Sequence, residues 1–216
     1  MAREFANTAG SPRIDGIALS GIPPVAGLAA CSLVVRGAFD SDTPDYGVAL
    51  LIYDVAGQNS VGLLRLATGS NMHCLFRNAN ATAPQFPFTF DGTMCSLIVT
   101  YDGGAGTKVA AYVDGVSKTI TSQPANTTIG SGQTVASIGA DATFRGMNGR
   151  LAELAIYNRV LTAGEIAMHT AGYTTNHFPR GRIFCAPLVR EVHDIVGGLT
   201  GAITGTTVSA HPRIYL

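Results

Sequence analysis

The chain has 216 residues with 14 basic and 14 acidic side chains, so it is one domain of ordinary size, or one domain with an arm, and carries no net charge. That balance argues against a partner held by bulk electrostatics, whether nucleic acid or an anionic membrane. Only 13% of residues are charged, 46% are apolar and 26 are Gly, which excludes disorder; the Gly has no period of three, which excludes collagen.

From Gly16 to Val35 the chain has no charge. This stretch contains Leu28-Ala-Ala-Cys31, the form of a bacterial lipoprotein cleavage box. Pro23-Pro24 interrupt the apolar run, Asp15 lies beside its start and Glu4 sits where a leader would be basic. The expectation is therefore a Gly/Ala-rich strand and loop, with no export signal and no membrane helix, which needs about 20 continuous apolar residues.

Short runs rich in Val, Ile, Leu, Thr and Tyr then alternate with Gly, Asn, Asp and Pro clusters. They predict strands at Cys31–Arg36, Val48–Tyr53, Val61–Leu66, Met72–Arg77, Met94–Tyr101, Lys108–Val113, Val116–Thr121, Val135–Gly139, Gly149–Tyr157 and Ile183–Leu188. Many short strands at close spacing indicate an antiparallel sandwich or barrel. Asp114-Gly115 marks a two-residue turn with positive φ at both centres, so residues 108–118 form a hairpin with Val109, Ala111 and Val113 on its core face. Gly103-Gly-Ala-Gly-Thr-Lys108 precedes a strand rather than a helix, so it is a connection and not a phosphate loop.

Thr162-Ala-Gly-Glu165 has the spacing of a capping box and predicts one helix of about two turns, stopped by Gly172. So short a helix must dock on the sandwich. The Gly-rich stretch Asp194–Thr207 reads either as a flexible arm or as a last hairpin that closes the sandwich; Leu199 and Ile203 favour the hairpin. The four cysteines, Cys31, Cys74, Cys95 and Cys185, form no C-x-x-C pair and are expected to be free, buried thiols.

Several segments in order resemble a known family: Met94-Cys-Ser-Leu-Ile-Val-Thr-Tyr-Asp102, the 108–115 hairpin, Ser137-Ile-Gly139, and Met147 to Ile166 with Ile156-Tyr-Asn-Arg159, Leu161-Thr162 and Glu165-Ile166. They resemble the laminin-G-like, concanavalin A-like jelly-roll superfamily over roughly residues 30–172. The resemblance implies an all-β, antiparallel two-sheet jelly-roll sandwich with one short helix near 162–171. Residues 1–29 would add an edge strand or arm, 30–172 form the jelly roll, and 173–216 complete the sandwich or form an arm. The motif fits strand, turn and cap, and so identifies a fold rather than a function.

Where the family often has Trp this chain has Met94, and it has no Trp anywhere. A sugar platform would need an exposed Tyr or Phe, and Tyr46, Asn71 and Arg77 are the loop or strand-end candidates. Some members bind calcium, which wants six to eight oxygens. The acids to consider are the Asp40–Asp45 loop (Asp40, Asp42, Asp45) and Asp102 with Asp141, against the plainer reading of a polar turn containing Pro44. Only four Glu occur, Glu4, Glu153, Glu165 and Glu191, and Glu153 has no second acid on its strand face, so a glycosidase pair is absent from the motif. The five His show no metal spacing. No catalytic, cofactor or metal residue is assigned.

Members of this superfamily commonly work outside a cell, yet no leader is legible. The layout, with its tail ending His211-Pro-Arg-Ile-Tyr-Leu216, resembles small phage-encoded members. The expectation is a non-enzymatic bacteriophage virion protein, decorating a capsid or tail. Its partners would be other virion proteins or itself, with contacts near Arg13 and Ile14 and in the last residues. Twelve Arg against two Lys suit either an ordered assembly or, more plainly, a GC-rich genome. The alternative is a carbohydrate-binding, lectin-like adhesion module, calcium-dependent or not, that meets cell-surface glycans.

Overall fold

The computed structural model describes residues 2–6, 15–40, 47–65, 70–79, 83–140, 146–188 and 192–209. In chain order the strands are β1 (Ala2–Ala6), β2 (Gly16–Leu19), β3 (Ala30–Phe39), β4 (Val48–Tyr53), β5 (Ser60–Leu64), β6 (Asn71–Phe76), β7 (Gln85–Pro87), β8 (Cys95–Asp102), β9 (Val109–Val113), β10 (Val116–Lys118), β11 (Val135–Ile138) and β12 (Asn148–Tyr157). The helix α1 (Ala163–Thr170) follows, then a 3-10 turn at Thr175–His177, then β13 (Arg182–Pro187), β14 (Gly201–Thr204) and β15 (Thr207–Ser209).

The strands form two antiparallel sheets. The first runs β10-β9-β8-β3-β12-β1-β15, and β13 joins β12 beyond the end of β1. The second runs β14-β2-β11-β4-β5-β6-β7. Alternating residues of both, among them Leu33, Val35, Leu97, Val99, Leu154 and Ile156 against Leu50, Ile52, Leu63 and Phe76, are sealed from solvent in one core. The expected jelly-roll sandwich is the observed fold.

The family motif explains itself here. Tyr101 stacks on Phe76 across the sandwich, with centroids 5.1 Å apart, and its hydroxyl donates to the Asn126 carbonyl at 2.9 Å. The Asp114-Gly115 turn has φ of 49° and 74°, and Val109 and Ala111 are buried as expected. The β8–β9 connection is the expected turn, closed by the Asp102 amide donating to the Lys108 carbonyl. Thr162 and Glu165 form the full capping box. All four cysteines are free and buried, and Cys31 lies wholly inside β3.

Three differences have physical reasons. Strands β1, β2 and β7 are short, carry charge or lie between prolines, so they lack the alternating pattern that marks the others. The strand expected over Val116–Thr121 stops at Lys118, because Thr121 turns away to donate through its amide and hydroxyl to the Gln85 carbonyl at the start of β7. The tail closes the sandwich without a hairpin. β14 pairs with β2 on one sheet and β15 with β1 on the other, so the turn at Gly205 steps between the sheets. Ile203 consequently keeps 44% of its surface exposed at the edge, whereas Leu199 packs on the core.

Candidate functional site

Three places on this frame gather polar chemistry. The first lies at the open edge of the sandwich, between the segment that follows β7 and the β9–β10 hairpin. The two sheets diverge there and leave a cleft of about 360 Å³. Its polar lining residues are Ser70, Thr89, Thr93, Asp91, Asp114 and Lys118. Pro87, Phe88, Cys95 and Val113 supply the apolar part. Phe88 is fixed by edge-to-face contacts with Phe39 and Phe90, at 5.3 and 4.9 Å. Asp91 is held below its ordinary range by the Thr93 amide and hydroxyl that donate to it. Asp114 accepts from the Ser96 amide at 2.8 Å, which places its carboxylate relative to β8. Burial, with the two carboxylates in support, pushes the Cys95 thiol up to about 12, so the sulfur is an apolar wall and no nucleophile.

The second place is the outward face of the second sheet. Tyr53 on β4, Ser60 on β5 and Arg77 just beyond β6 lie side by side in register. Asn71, His73, Leu75 and Arg77 alternate along one face of β6. The two candidates Asn71 and Arg77 therefore share a face but stand at opposite ends, about 20 Å apart. Asn71 donates to Gln85 at 3.2 Å. Tyr46 lies outside the described residues. The exposed aromatic among the described residues is Tyr173, which sits edge-on to His177. No sequence reading had selected it.

The third place lies under α1. His169, in the last helical turn, points at the first sheet. Its Nδ1 is 2.5 Å from the Ser96 hydroxyl and its Nε2 is 3.5 Å from the Glu153 carboxylate. Glu153 also accepts from the amide and hydroxyl of Thr175, at 2.9 and 2.6 Å. Arg36 donates to the His169 carbonyl and supplies positive charge between Glu153 and Asp114. The order hydroxyl, imidazole, carboxylate is that of a nucleophilic triad. Yet Ser96 is 2% exposed, His169 0% and Glu153 3%, so the array opens to no substrate and ties the helix to the sheet. Burial depresses His169 and keeps it neutral, while the His169 imidazole 3.5 Å away and the hydrogen bonds from Thr175 outweigh burial and keep Glu153 ionised. Among the described residues the partners of Glu153 are a basic and a hydroxylic one, His169 and Thr175, from segments remote in sequence.

Of the calcium candidates Asp40 and Asp102 are described, and they stand at opposite ends of β3. Asp102 is exposed and accepts from the Gly104 amide in a turn, and Asp40 packs against Gly92. Asp42, Asp45 and Asp141 lie outside the described residues, as do Arg13, Ile14, Glu191 and residues 210–216. Among the described residues no three His, Cys, Asp or Glu side chains gather as a metal site, and no helix is long and apolar enough to cross a membrane.

A family model described as the concanavalin A-like lectin/glucanases superfamily, of laminin-G type, matches residues 41–167, more than half of the chain. No curated protein sequence matches. Among solved structures, a native heptameric SAP-like pentraxin from Limulus polyphemus superposes with a TM-score of 0.63 at 12% identity, over 94% of this chain and 95% of that one. A Bacteroides ovatus protein described as carbohydrate-binding gives 0.69 at 15% identity, over 99% of this chain and 61% of its own. The NanB sialidase of Streptococcus pneumoniae gives 0.52 at 13% identity, over 76% of this chain and 26% of its own. At such identities the likeness is one of fold.

Proposed function

The chain belongs to the concanavalin A-like lectin/glucanases superfamily, and from that premise we propose that it is a non-enzymatic, lectin-like carbohydrate-binding module whose saccharide enters the cleft between β7 and the β9–β10 hairpin. The observation that carries this reading is the composition of that cleft. Asp91, Asp114, Lys118 and the hydroxylic residues Ser70, Thr89 and Thr93 share the lining with the apolar Pro87, Phe88, Cys95 and Val113. A sugar ring presents hydroxyls at its edge and C–H groups on its faces, so it needs both. The volume lies within the range of about 300–1,000 Å³ usual for small-ligand pockets. Among structures of the same fold, one is described as carbohydrate-binding, which supports the same reading.

The virion-decoration reading, with its location and virion partners, rests on the sequence pattern alone, and the similar structures lend it no support. Self-association has more to stand on. Ile195, Val196, Ile203 and Val208 are each more than 40% exposed in the segment that edges both sheets, so a second copy of the chain is proposed as a partner there.

A glycan array tests the carbohydrate reading. The wild type binds a restricted set of saccharides, and Asp91→Asn with Lys118→Ala together weaken that binding by about tenfold or more, as expected for charge-assisted hydrogen bonds. Binding that survives both substitutions would remove the cleft from the account.

A further inference from the structure

On the outward face of the second sheet, one arginine differs from its fellows. Arg159 forms a two-pronged pair with Glu165, Arg182 donates to Asn176, Arg150 to the Gly92 carbonyl and Arg36 to the His169 carbonyl. Arg180 is exposed and solvated. Arg77 is half-buried, its Nε is shielded from solvent, and its guanidinium meets no hydrogen-bond acceptor or carboxylate among the described residues. Its titratable neighbour is His73, two strand positions of the same facing away. Burial first, and the Arg77 charge second, depress His73 and keep it neutral.

A second observation points to the same spot. Ser60 lies directly across from Arg77, because Val61 pairs with Phe76 and the Arg77 amide donates to the Ser60 carbonyl at 2.8 Å. Side chains so paired stand about 4.5–5.5 Å apart at Cβ. Ser60 is 1% exposed, and its hydroxyl has no partner among the described residues. A partly desolvated cation without a counter-charge, beside an orphaned hydroxyl, is a costly arrangement that an anion completes. A guanidinium fork suits the paired oxygens of a carboxylate or sulfate.

We propose that Arg77, with His73 and Ser60, receives the anionic group, carboxylate or sulfate, of an acidic saccharide. The proposal rests on the carbohydrate reading and adds the ligand's charge to it. The face it uses continues into the cleft, since Asn71 at the other end of β6 pairs with Pro87, a lining residue of the cleft.

The test is calorimetric titration with a matched trio of oligosaccharides: one ending in glucose, one in glucuronic acid and one in glucose 6-sulfate. Inorganic sulfate alone is a fourth probe. At least one charged member binds about tenfold tighter than the neutral one, with the advantage lost in Arg77→Gln, partly kept in Arg77→Lys and diminished by salt. Unchanged neutral binding and an unchanged urea midpoint in Arg77→Gln show that the fold and the cleft are intact. Equal affinity for the whole trio, or a charged advantage that survives Arg77→Gln, overturns the proposal while leaving the carbohydrate reading standing. Inorganic sulfate binding as tightly as the sulfated sugar overturns the assignment to a saccharide. No binding by any member, with none on the array, overturns both.

Discussion

At the scale of single residues, the most consequential group is Glu153, a carboxylate sealed between the sheet and α1. Replacing it by Ala leaves the Thr175 amide and the His169 imidazole without their acceptor. The expected cost is about 1–3 kcal/mol for each buried donor left unsatisfied, read as a lowered urea midpoint. The pH dependence has a definite sign. His169 is depressed below its ordinary 6.5 by burial, so on acidification the unfolded chain takes up that proton first. Its contribution is complete above about pH 6.5 and declines as pH falls through the folded value. Glu153, depressed below 4.5, contributes above that value and is lost further down. Stability measured between pH 7 and 4 should therefore fall, and a flat profile would contradict the described array. None of this was legible in sequence: Ser96 and His169 are 73 residues apart, and His169 looked like an ordinary helical His. Asn126 is a similar case. It lies in a loop, yet its amide donates to the Phe76 carbonyl, the Tyr101 hydroxyl and the Thr128 carbonyl, a knot that only the assembled sheets create.

At the scale of elements, legibility followed local physics. The Asp114-Gly115 hairpin and the Thr162–Glu165 cap are encoded within a few residues, and both stand as read. Thr162→Ala removes the hydroxyl that accepts from the Glu165 amide at 3.3 Å. A loss of about 1 kcal/mol follows from such a cap, with the outer face of the first sheet loosening before the core in hydrogen exchange. Glu165 itself is held at about 2, chiefly by Arg159, so the cap stays charged through mild acid. What escaped sequence reading were strands that exist only because a partner offers an edge. Gly139 shows why β1 could not be seen: it has φ +77°, and a Cβ there would lie 2.0 Å from the Phe5 ring. That close approach joins residues more than 130 positions apart.

At the scale of the whole molecule, the two sheets are locked at one side by a tail that contributes a strand to each. Removing residues 200–216 uncovers the edges of β1 and β2. The truncated chain should unfold at lower denaturant and aggregate, since unpaired edges seek partners. The exposed Ile203 and Val208 carry the self-association reading. Light scattering of the intact chain should give a defined oligomer that dissociates in a double variant, Ile203→Asp with Val208→Asp; an intact monomer would dismiss it. Of the arginines read from sequence as suited to an ordered assembly, Arg36, Arg150 and Arg159 are spent inside the chain, where they donate to carbonyls and a carboxylate. The architecture was legible because alternation and turn chemistry are local. The cleft was not, because its walls come from three separate segments that no spacing rule connects.

The central claim is that a saccharide occupies this cleft, and amide chemical-shift mapping tests it most directly. The tightest-binding saccharide from the array is titrated into labelled protein. The account predicts saturable shifts confined to Ser70, the 87–95 segment, the 113–118 turn and, for an acidic sugar, β6 through Arg77. Shifts gathered elsewhere, around Tyr173 or along α1, would contradict it.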